Sequence, residues 1–160
     1  MVNGSTTGLT LLVALWVFFS TEASAQQPSA IDVLRGRHPD VAWDANGAVV
    51  ADVNCDGLAD TIMVGYMPDR VWLGVVPGRI EGAAIPITAT FSVGRHSQDS
   101  FCSTSVRIEM SPLECQNEDG PLRGCKRVAG CFGFSLVNDD CDSFHFYWDS
   151  STKTLTWWRR

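Results

Sequence analysis

The sequence lacks any block of basic residues. Its 160 residues contain 12 Lys and Arg against 18 Asp and Glu, which gives a formal net charge of −6 at neutral pH. A basic patch or stripe is the usual electrostatic footprint of proteins that bind nucleic acid or an anionic membrane surface. We therefore expect no nucleic-acid partner for this chain.

The familiar local signatures of catalysis are also missing. There is no G-x-S-x-G, no H-E-x-x-H and no phosphate-binding glycine loop, and His38, His96 and His145 are isolated from one another. His145 falls on the polar side of an alternating strand, where a surface role is more common than that of a base. These absences favour a non-catalytic protein over an enzyme.

Beyond the N-terminus, no apolar run is long enough to cross a membrane. Residues 8–19 (GLTLLVALWVFF) have the length of a signal-peptide core and precede a small-residue cleavage site, Ala23-Ser24-Ala25. We predict a signal peptide over residues 1–25 and a mature, secreted or periplasmic domain over 26–160. Residues 1–7 contain no Lys or Arg, so a single anchoring helix is the alternative.

Six cysteines lie in the predicted mature chain: Cys55, Cys102, Cys115, Cys125, Cys131 and Cys141. An even count in an exported chain predicts a disulfide framework, although six cysteines allow 15 pairings. We expect the crowded central four to pair among themselves, which leaves Cys55 for Cys141. Zinc is the rival interpretation, but the chain has no close C-x-x-C pair and no paired histidine spacing.

Hydrophobic alternation predicts a small, mainly antiparallel, disulfide-stabilised β-domain with seven or eight short strands. A short N-terminal helix over residues 30–35, capped by Ser29 and ended by Pro39, precedes them. The predicted strands cover residues 48–51, 61–66, 71–76, 87–93, 106–110, 131–137, 144–148 and 155–158. A sandwich and a partial propeller-like sheet both fit this pattern.

The most informative stretch is residues 52–60, DVNCDGLAD, in which oxygen-bearing side chains recur at alternate positions before a glycine. Calcium takes six to eight oxygen ligands at about 2.3–2.6 Å, and loops of this pattern supply them. The predicted structural calcium site uses the side chains of Asp52, Asn54, Asp56 and Asp60 and the carbonyl of Leu58. The alternative is an Asp- and Gly-rich turn whose carboxylates accept backbone N–H bonds without a metal.

Residues 50–64, this loop with the apolar strand after it, resemble one FG-GAP or VCBS-type repeat of the kind found in integrin alpha propellers. In that family a D-x-[DN]-x-D-G-x-x-D loop between two strands binds calcium, and the resemblance implies the same ligands here. It covers about residues 48–77 only. One copy in 135 residues cannot close a propeller, and Met63 stands where an EF-hand needs a bidentate Glu.

Two further regions are candidates for function. The acidic turn over residues 138–142 lacks the alternating spacing and the glycine, so a solvated loop is favoured. The aromatic C-terminal hairpin carries aromatic residues on both faces, for which packing is the favoured interpretation. A surface of Tyr147 and Trp158 that binds protein or glycan is the alternative.

Together these features predict an exported calcium-binding, non-catalytic binding or structural module whose partner is an unknown protein or glycan. An inhibitor or immunity-type partner of a periplasmic or extracellular hydrolase is the alternative, because such proteins share this format. A small secreted hydrolase that uses the carboxylates of the loop is the weaker alternative.

Overall fold

The computed structural model describes residues 1, 28–78, 85–94 and 97–159. Apart from Met1, the predicted signal peptide lies outside the described residues, as does His96. The described part contains one helix, α1 (Ala30–Arg37), and twelve strands: β1 (Ala42–Trp43), β2 (Val49–Ala51), β3 (Asp60–Met67), β4 (Arg70–Val76), β5 (Ile87–Val93), β6 (Ser100–Phe101), β7 (Arg107–Pro112), β8 (Gln116–Asn117), β9 (Gly120–Pro121), β10 (Phe132–Asn138), β11 (Cys141–Asp149) and β12 (Thr154–Arg159).

The predicted N-terminal helix is present, and its ends have the expected causes. The Asp32 N–H donates to Ser29 Oγ at 3.4 Å, while the Ser29 N–H donates to Asp32 Oδ2 at 3.3 Å, which completes a capping box. Pro39 follows the C-terminal cap at His38. Leu34 is the fully buried residue of this helix, and the partly buried Ala30, Ile31 and Val33 pack around it.

The first sheet has the order β1-β3-β4-β5-β6, and β2 also pairs with β3. Its ladders are antiparallel except for the short parallel pair of β5 and β6. The central hairpin of β3 and β4 aligns Val64 with Leu73, so the apolar side chains of the two strands share a face. The two strands predicted over residues 61–66 and 71–76 are therefore confirmed, and they pair as a hairpin.

The second sheet is antiparallel throughout, with the order β12-β11-β10-β7, and β8 and β9 form a separate small hairpin. The inner faces of the two large sheets meet in a shared core, in which Phe134 stacks on Phe146 with 4.7 Å between ring centroids. The protein is mainly β, as predicted, and its architecture is a two-sheet sandwich. The buried members of this core are Val53, Ile62, Val64, Val71, Leu73, Val75, Phe91, Phe101, Val106, Phe134, Leu136, Phe144 and Phe146.

Each sheet also has a covered outer face. Helix α1 covers that of the first sheet, where Leu34 packs with Trp43 and Met63. Residues 113–131, an irregular segment that contains the β8–β9 hairpin, cover that of the second sheet, where Leu113 packs with Tyr147. We call these the helix-covered face and the loop-covered face.

The six cysteines form three disulfides: Cys55–Cys131, Cys102–Cys141 and Cys115–Cys125. The expected Cys55–Cys141 pair is therefore wrong. Cys131 directly precedes β10, whereas Cys141 pairs with Asn138 at the other end of that strand, and a strand of seven residues is about 23 Å long. Cys55 lies at the Cys131 end, because the Phe132 N–H donates to the carbonyl of Asp52 at 2.9 Å.

Three disulfides are typical of proteins that fold in an oxidising environment. Within the residues that the structure describes, no helix is long and apolar enough to cross a membrane.

Candidate functional site

The loop from Asp52 to Asp60 connects β2 to β3 at one end of the sandwich. The two strands close on each other at the pair Ala51 and Asp60, so the loop leaves and re-enters the same ladder. Gly57 has a φ of 85°, as a tight turn requires. Cys55 has a φ of 60°, a value that residues other than glycine seldom adopt. The disulfide from Cys55 to Cys131 fastens this turn to the second sheet.

Asp60 is the anchor of the loop. Its carboxylate is fully buried and accepts N–H bonds from Val53 at 3.0 Å, Asn54 at 3.2 Å and Gly78 at 3.1 Å. Burial raises the pKa of Asp60 above its usual range, and the nearby charge of Asp56 adds to this, while the three N–H bonds oppose it. The local environment therefore leaves the negative charge of Asp60 only partly compensated.

Asn54 and Asp56 complete the middle of the loop through short-range turns. Asn54 Oδ1 accepts the Asp56 N–H at 2.9 Å, and Asp56 Oδ1 accepts the Leu58 N–H at 2.8 Å. The side-chain amide of Asn54 also donates to Asp56 Oδ2 at 3.2 Å and to Asp60 Oδ1 at 3.3 Å. Three of the four predicted side-chain ligands are thus neighbours in space, with an amide donor between two carboxylates.

Asp52, the fourth predicted side-chain ligand, has an incompletely satisfied carboxylate. Its Oδ2 accepts the Gly57 N–H at 2.9 Å, but its Oδ1 is buried without a hydrogen-bond partner among the described residues. A buried carboxylate oxygen that lacks a partner is costly, because it has lost its hydration. Leu58, the predicted carbonyl ligand, has a partly exposed side chain at the tip of the loop.

These residues fit a hard cation by their chemistry. They supply three carboxylates and one amide oxygen within nine positions, one buried carboxylate oxygen is unsatisfied, and another carboxylate is buried beside a like charge. Across the described ranges, however, no three His, Cys, Asp or Glu side chains already converge as ligands around one point. The loop is held here by N–H donors, as in the metal-free alternative, and the calcium site stays a prediction.

The second acidic turn has a structural role and is separate from the loop. Asn138 is buried, and its amide donates to Ser103 Oγ at 2.8 Å and to the carbonyl of Ser105 at 2.9 Å. Asp139 forms an exposed ion pair with Arg107. Because Cys141 is linked to Cys102, this turn belongs to the opposite end of β10 from the Asp52–Asp60 loop.

The predicted aromatic binding surface needs correction at Tyr147. Its side chain is 6% exposed, and its hydroxyl donates to the carbonyl of Arg123 at 3.2 Å beneath the loop-covered face. The same burial raises the pKa of Tyr147. Tyr147 is a packing residue because residues 113–131 fold over it. Trp158 is only partly buried and stacks on the His145 ring with 4.3 Å between centroids.

A polar pair that the sequence did not reveal lies beside this stack. Ser135 Oγ and His145 Nδ1 are 2.8 Å apart across β10 and β11, where the two residues are direct partners. Ser135 is buried, and Trp158 covers one face of the His145 ring. Strand alternation places both residues on the outer face, but only the register brings them together.

A cavity of about 540 Å³ borders the Asp52–Asp60 loop and was also missed. We call it the end cavity. It is lined by Asn54, Cys55, Asp56, Lys126, Val128, Trp148, Ser150 and Lys153. These residues come from three segments far apart in sequence, so no local pattern indicated that they would meet.

Comparisons with known proteins returned no match among family models, curated proteins or solved structures. The similarity of residues 50–64 to a calcium-binding repeat therefore rests on the loop itself.

Proposed function

We propose that this chain is an exported, calcium-binding, non-catalytic binding module in which the ion neutralises and stabilises the Asp52–Asp60 loop. The observation that carries the proposal is the buried Asp52 Oδ1, an anionic oxygen for which the described residues provide no donor. The predicted signal peptide and the three disulfides support export.

The electrostatics of the loop support a cation. Asp52, Asp56 and Asp60 bring three formal negative charges into nine residues, and the backbone donors that hydrogen-bond to them are neutral N–H groups. The raised pKa of Asp60 has burial as its first cause and the Asp56 charge as a further one. A divalent ion would supply the missing positive charge and would give Asp52 Oδ1 a partner.

In the proposed site, Asp52, Asp56 and Asp60 act as carboxylate ligands, Asn54 as an amide-oxygen ligand and Leu58 as a carbonyl ligand. The chemistry that calcium supplies is charge neutralisation. The chain itself supplies the rigidity: the disulfide to Cys131 and the bond from the Phe132 N–H to the Asp52 carbonyl fix the loop before any ion arrives. Such preorganisation lowers the ordering entropy lost on binding.

Asp56→Asn tests the proposal. An asparagine retains an oxygen that accepts the Leu58 N–H but loses the charge, so the turn is conserved and the ligand set is weakened. Asp140→Asn, in the exposed second acidic turn, is the matched control. For an extracellular-type site with a Kd of about 10⁻⁴ M, 1 mM calcium stabilises the fold by about 1.4 kcal/mol. The melting temperature then rises by about 3–6 °C.

The measurement is differential scanning calorimetry of chelator-treated protein with and without calcium, together with calorimetric titration. We expect the wild type and Asp140→Asn to gain the shift and Asp56→Asn to lose most of it. Absence of both binding heat and a thermal shift in the wild type would refute the proposal, as would an equal shift in Asp56→Asn.

A further inference from the structure

The end cavity brings together the only two lysines of the chain. The other ten of the 12 Lys and Arg residues are arginines, yet Lys126 and Lys153, which are 27 positions apart, both line this one cavity. Lys126 follows the isolated bridge at Cys125, and Lys153 lies in the turn between β11 and β12. The tertiary structure therefore concentrates every ammonium side chain of the protein at one end of the sandwich.

Both ammonium groups are available to a ligand. In the part of the chain that the structure describes, the ion pairs are those of Arg70 and Arg107, and neither lysine takes part in one. Lys126 and Lys153 are both exposed. The lining contains these two positive side chains and one carboxylate, that of Asp56, so it is locally positive although the net charge of the chain is −6. Charge complementarity therefore favours an anionic occupant.

The rest of the lining is a mixed surface that matches a sugar ring. The partly buried Trp148 supplies a flat apolar wall beside Val128, and aromatic walls of this kind pack against apolar faces. The Ser150 hydroxyl donates to the Gly124 carbonyl at 2.9 Å but keeps lone pairs that accept from a sugar hydroxyl, as does the Asp56 carboxylate. In the metal-free loop, Asp56 also disfavours ligands with several closely spaced charges, such as phosphates, because it would repel them.

We propose that the end cavity binds a saccharide that carries a carboxylate, such as a uronic acid within a short glycan. Trp148 packs against the sugar ring, Lys126 and Lys153 pair with the carboxylate, and the Ser150 hydroxyl accepts a hydrogen bond from a sugar hydroxyl. The volume of about 540 Å³ lies within the range of small-ligand sites and accommodates a short segment of a glycan.

This inference rests on the proposed function, since it gives the binding module a ligand class, and the two sites share Asn54 and Asp56. A cation in the loop would neutralise Asp56 and thereby strengthen the attraction for an anion. Calcium binding and saccharide binding are nevertheless separate measurements, so either proposal can fail alone.

The test uses calorimetric titration of the full mature chain with a glucuronate-containing tetrasaccharide from hyaluronan. Neutral chitotetraose and a tetraglutamate peptide serve as comparison ligands, each with calcium and with chelator.

We expect binding of the acidic tetrasaccharide only. Lys126→Gln or Lys153→Gln weakens this binding about tenfold, because each variant removes a charged hydrogen bond. Arg127→Gln, which changes a neighbouring exposed charge outside the lining, leaves the affinity unchanged. Trp148→Leu weakens binding as well, and its melting temperature shows whether the fold is intact.

A second measurement uses the two lysines as reporters. Acetylation with an N-hydroxysuccinimide ester, mapped by mass spectrometry, modifies Lys126 and Lys153, and we expect the acidic tetrasaccharide to protect both while the N-terminal amine reacts as before. Equal affinity for the neutral tetrasaccharide, tighter binding of the acidic peptide, or unprotected lysines would overturn the inference. A calcium-induced thermal shift without any saccharide binding would also overturn it and would leave the calcium proposal standing. Binding of the acidic tetrasaccharide without any calcium-induced thermal shift would support the saccharide site and refute the calcium proposal.

Discussion

The helix-covered and loop-covered faces of the sandwich are built by different means. On the helix-covered face, a capped helix of eight residues inserts Leu34 against the first sheet, and the contact is apolar. On the loop-covered face, nineteen residues with little regular structure lie over Tyr147 and are held by disulfides Cys55–Cys131 and Cys115–Cys125. The first cover is stabilised mainly by burial and the second mainly by covalent links.

The difference has a consequence for function. Both proposed sites touch the loop-covered side, because Cys55 lies inside the Asp52–Asp60 loop and Lys126 follows Cys125. An irregular segment held by crosslinks can present side chains that a helix or strand would bury, since its backbone need not follow a repeating pattern. The helix-covered face has no such freedom and serves stability.

The largest expected effect comes from removing the disulfide between Cys55 and Cys131. The link closes a separation of 76 residues, and the chain-entropy estimate for a loop of that length is about 4.5 kcal/mol. The double variant Cys55→Ala, Cys131→Ala should therefore lose a large fraction of its stability to chemical denaturation. Removing Cys115–Cys125, whose separation is 10, should cost about 2.7 kcal/mol by the same estimate.

Hydrogen exchange distinguishes this account from general destabilisation. In the double variant under native conditions, amides of residues 113–131 should exchange faster than global unfolding allows. Amides of α1 should exchange no faster than the lower global stability of the variant predicts. Equal loss of protection on both faces would contradict the assignment of the Cys55–Cys131 link to the loop-covered face.

The second prediction concerns the apolar contact on the helix-covered face. Leu34→Ala removes a side chain that is 0% exposed and packs so closely on the first sheet that a Cβ at Gly74 would lie 2.6 Å from Leu34 Cδ2. We expect a loss of about 3 kcal/mol, measured by equilibrium denaturation, because a cavity replaces the side chain. Ile31→Ala, at a partly buried position of the same helix, is the control and should cost less. If calcium binding of Leu34→Ala weakened in the native state, the separation of the two faces would be wrong.

Much of the framework was predictable because it depends on local patterns. The capping residue Ser29 and the period-two alternation of residues such as Phe144 and Phe146 specify the helix and the long strands directly. The short strands β1, β6, β8 and β9 carry no such period, because two residues pair only where the tertiary structure brings a partner. The number of strands was therefore underestimated.

The candidate sites divide in the same way. The Asp52–Asp60 loop is contiguous, so its spacing was visible in the sequence. The end cavity joins Lys126, Trp148 and Lys153, which lie on separate segments. The disulfide between Cys55 and Cys131 joins the two sheets where the Phe132 N–H donates to the Asp52 carbonyl, a tertiary contact that no local pattern indicates. Tyr147 was misplaced for a related reason: alternation gives the side of the strand, but not whether a distant segment covers that side.

The smallest expected effect is an acid sensitivity at the turn that supports the loop-covered face. Asp149 Oδ1 accepts N–H bonds from Ser151 at 2.8 Å and Thr152 at 3.2 Å, and the neighbouring Ser150 N–H donates to the carbonyl of Gly124 at 2.9 Å. The hydrogen bond from the Ser151 hydroxyl, together with that from the Ser151 N–H, lowers the pKa of Asp149 below its ordinary value of 3.8, although burial opposes this shift. Its ionised form therefore favours the folded state.

A depressed folded-state pKa gives stability that is present above the unfolded pKa and is lost as the pH falls through the folded one. Asp149→Asn keeps an oxygen for the same donors but cannot ionise, so it isolates this contribution. We expect the wild type to be more stable than Asp149→Asn at pH 6 and the difference to shrink as the pH falls below about 4. Urea denaturation at several pH values measures it. A difference that stayed constant or grew towards low pH would show that the Asp149 charge does not help to hold residues 113–131 over the second sheet.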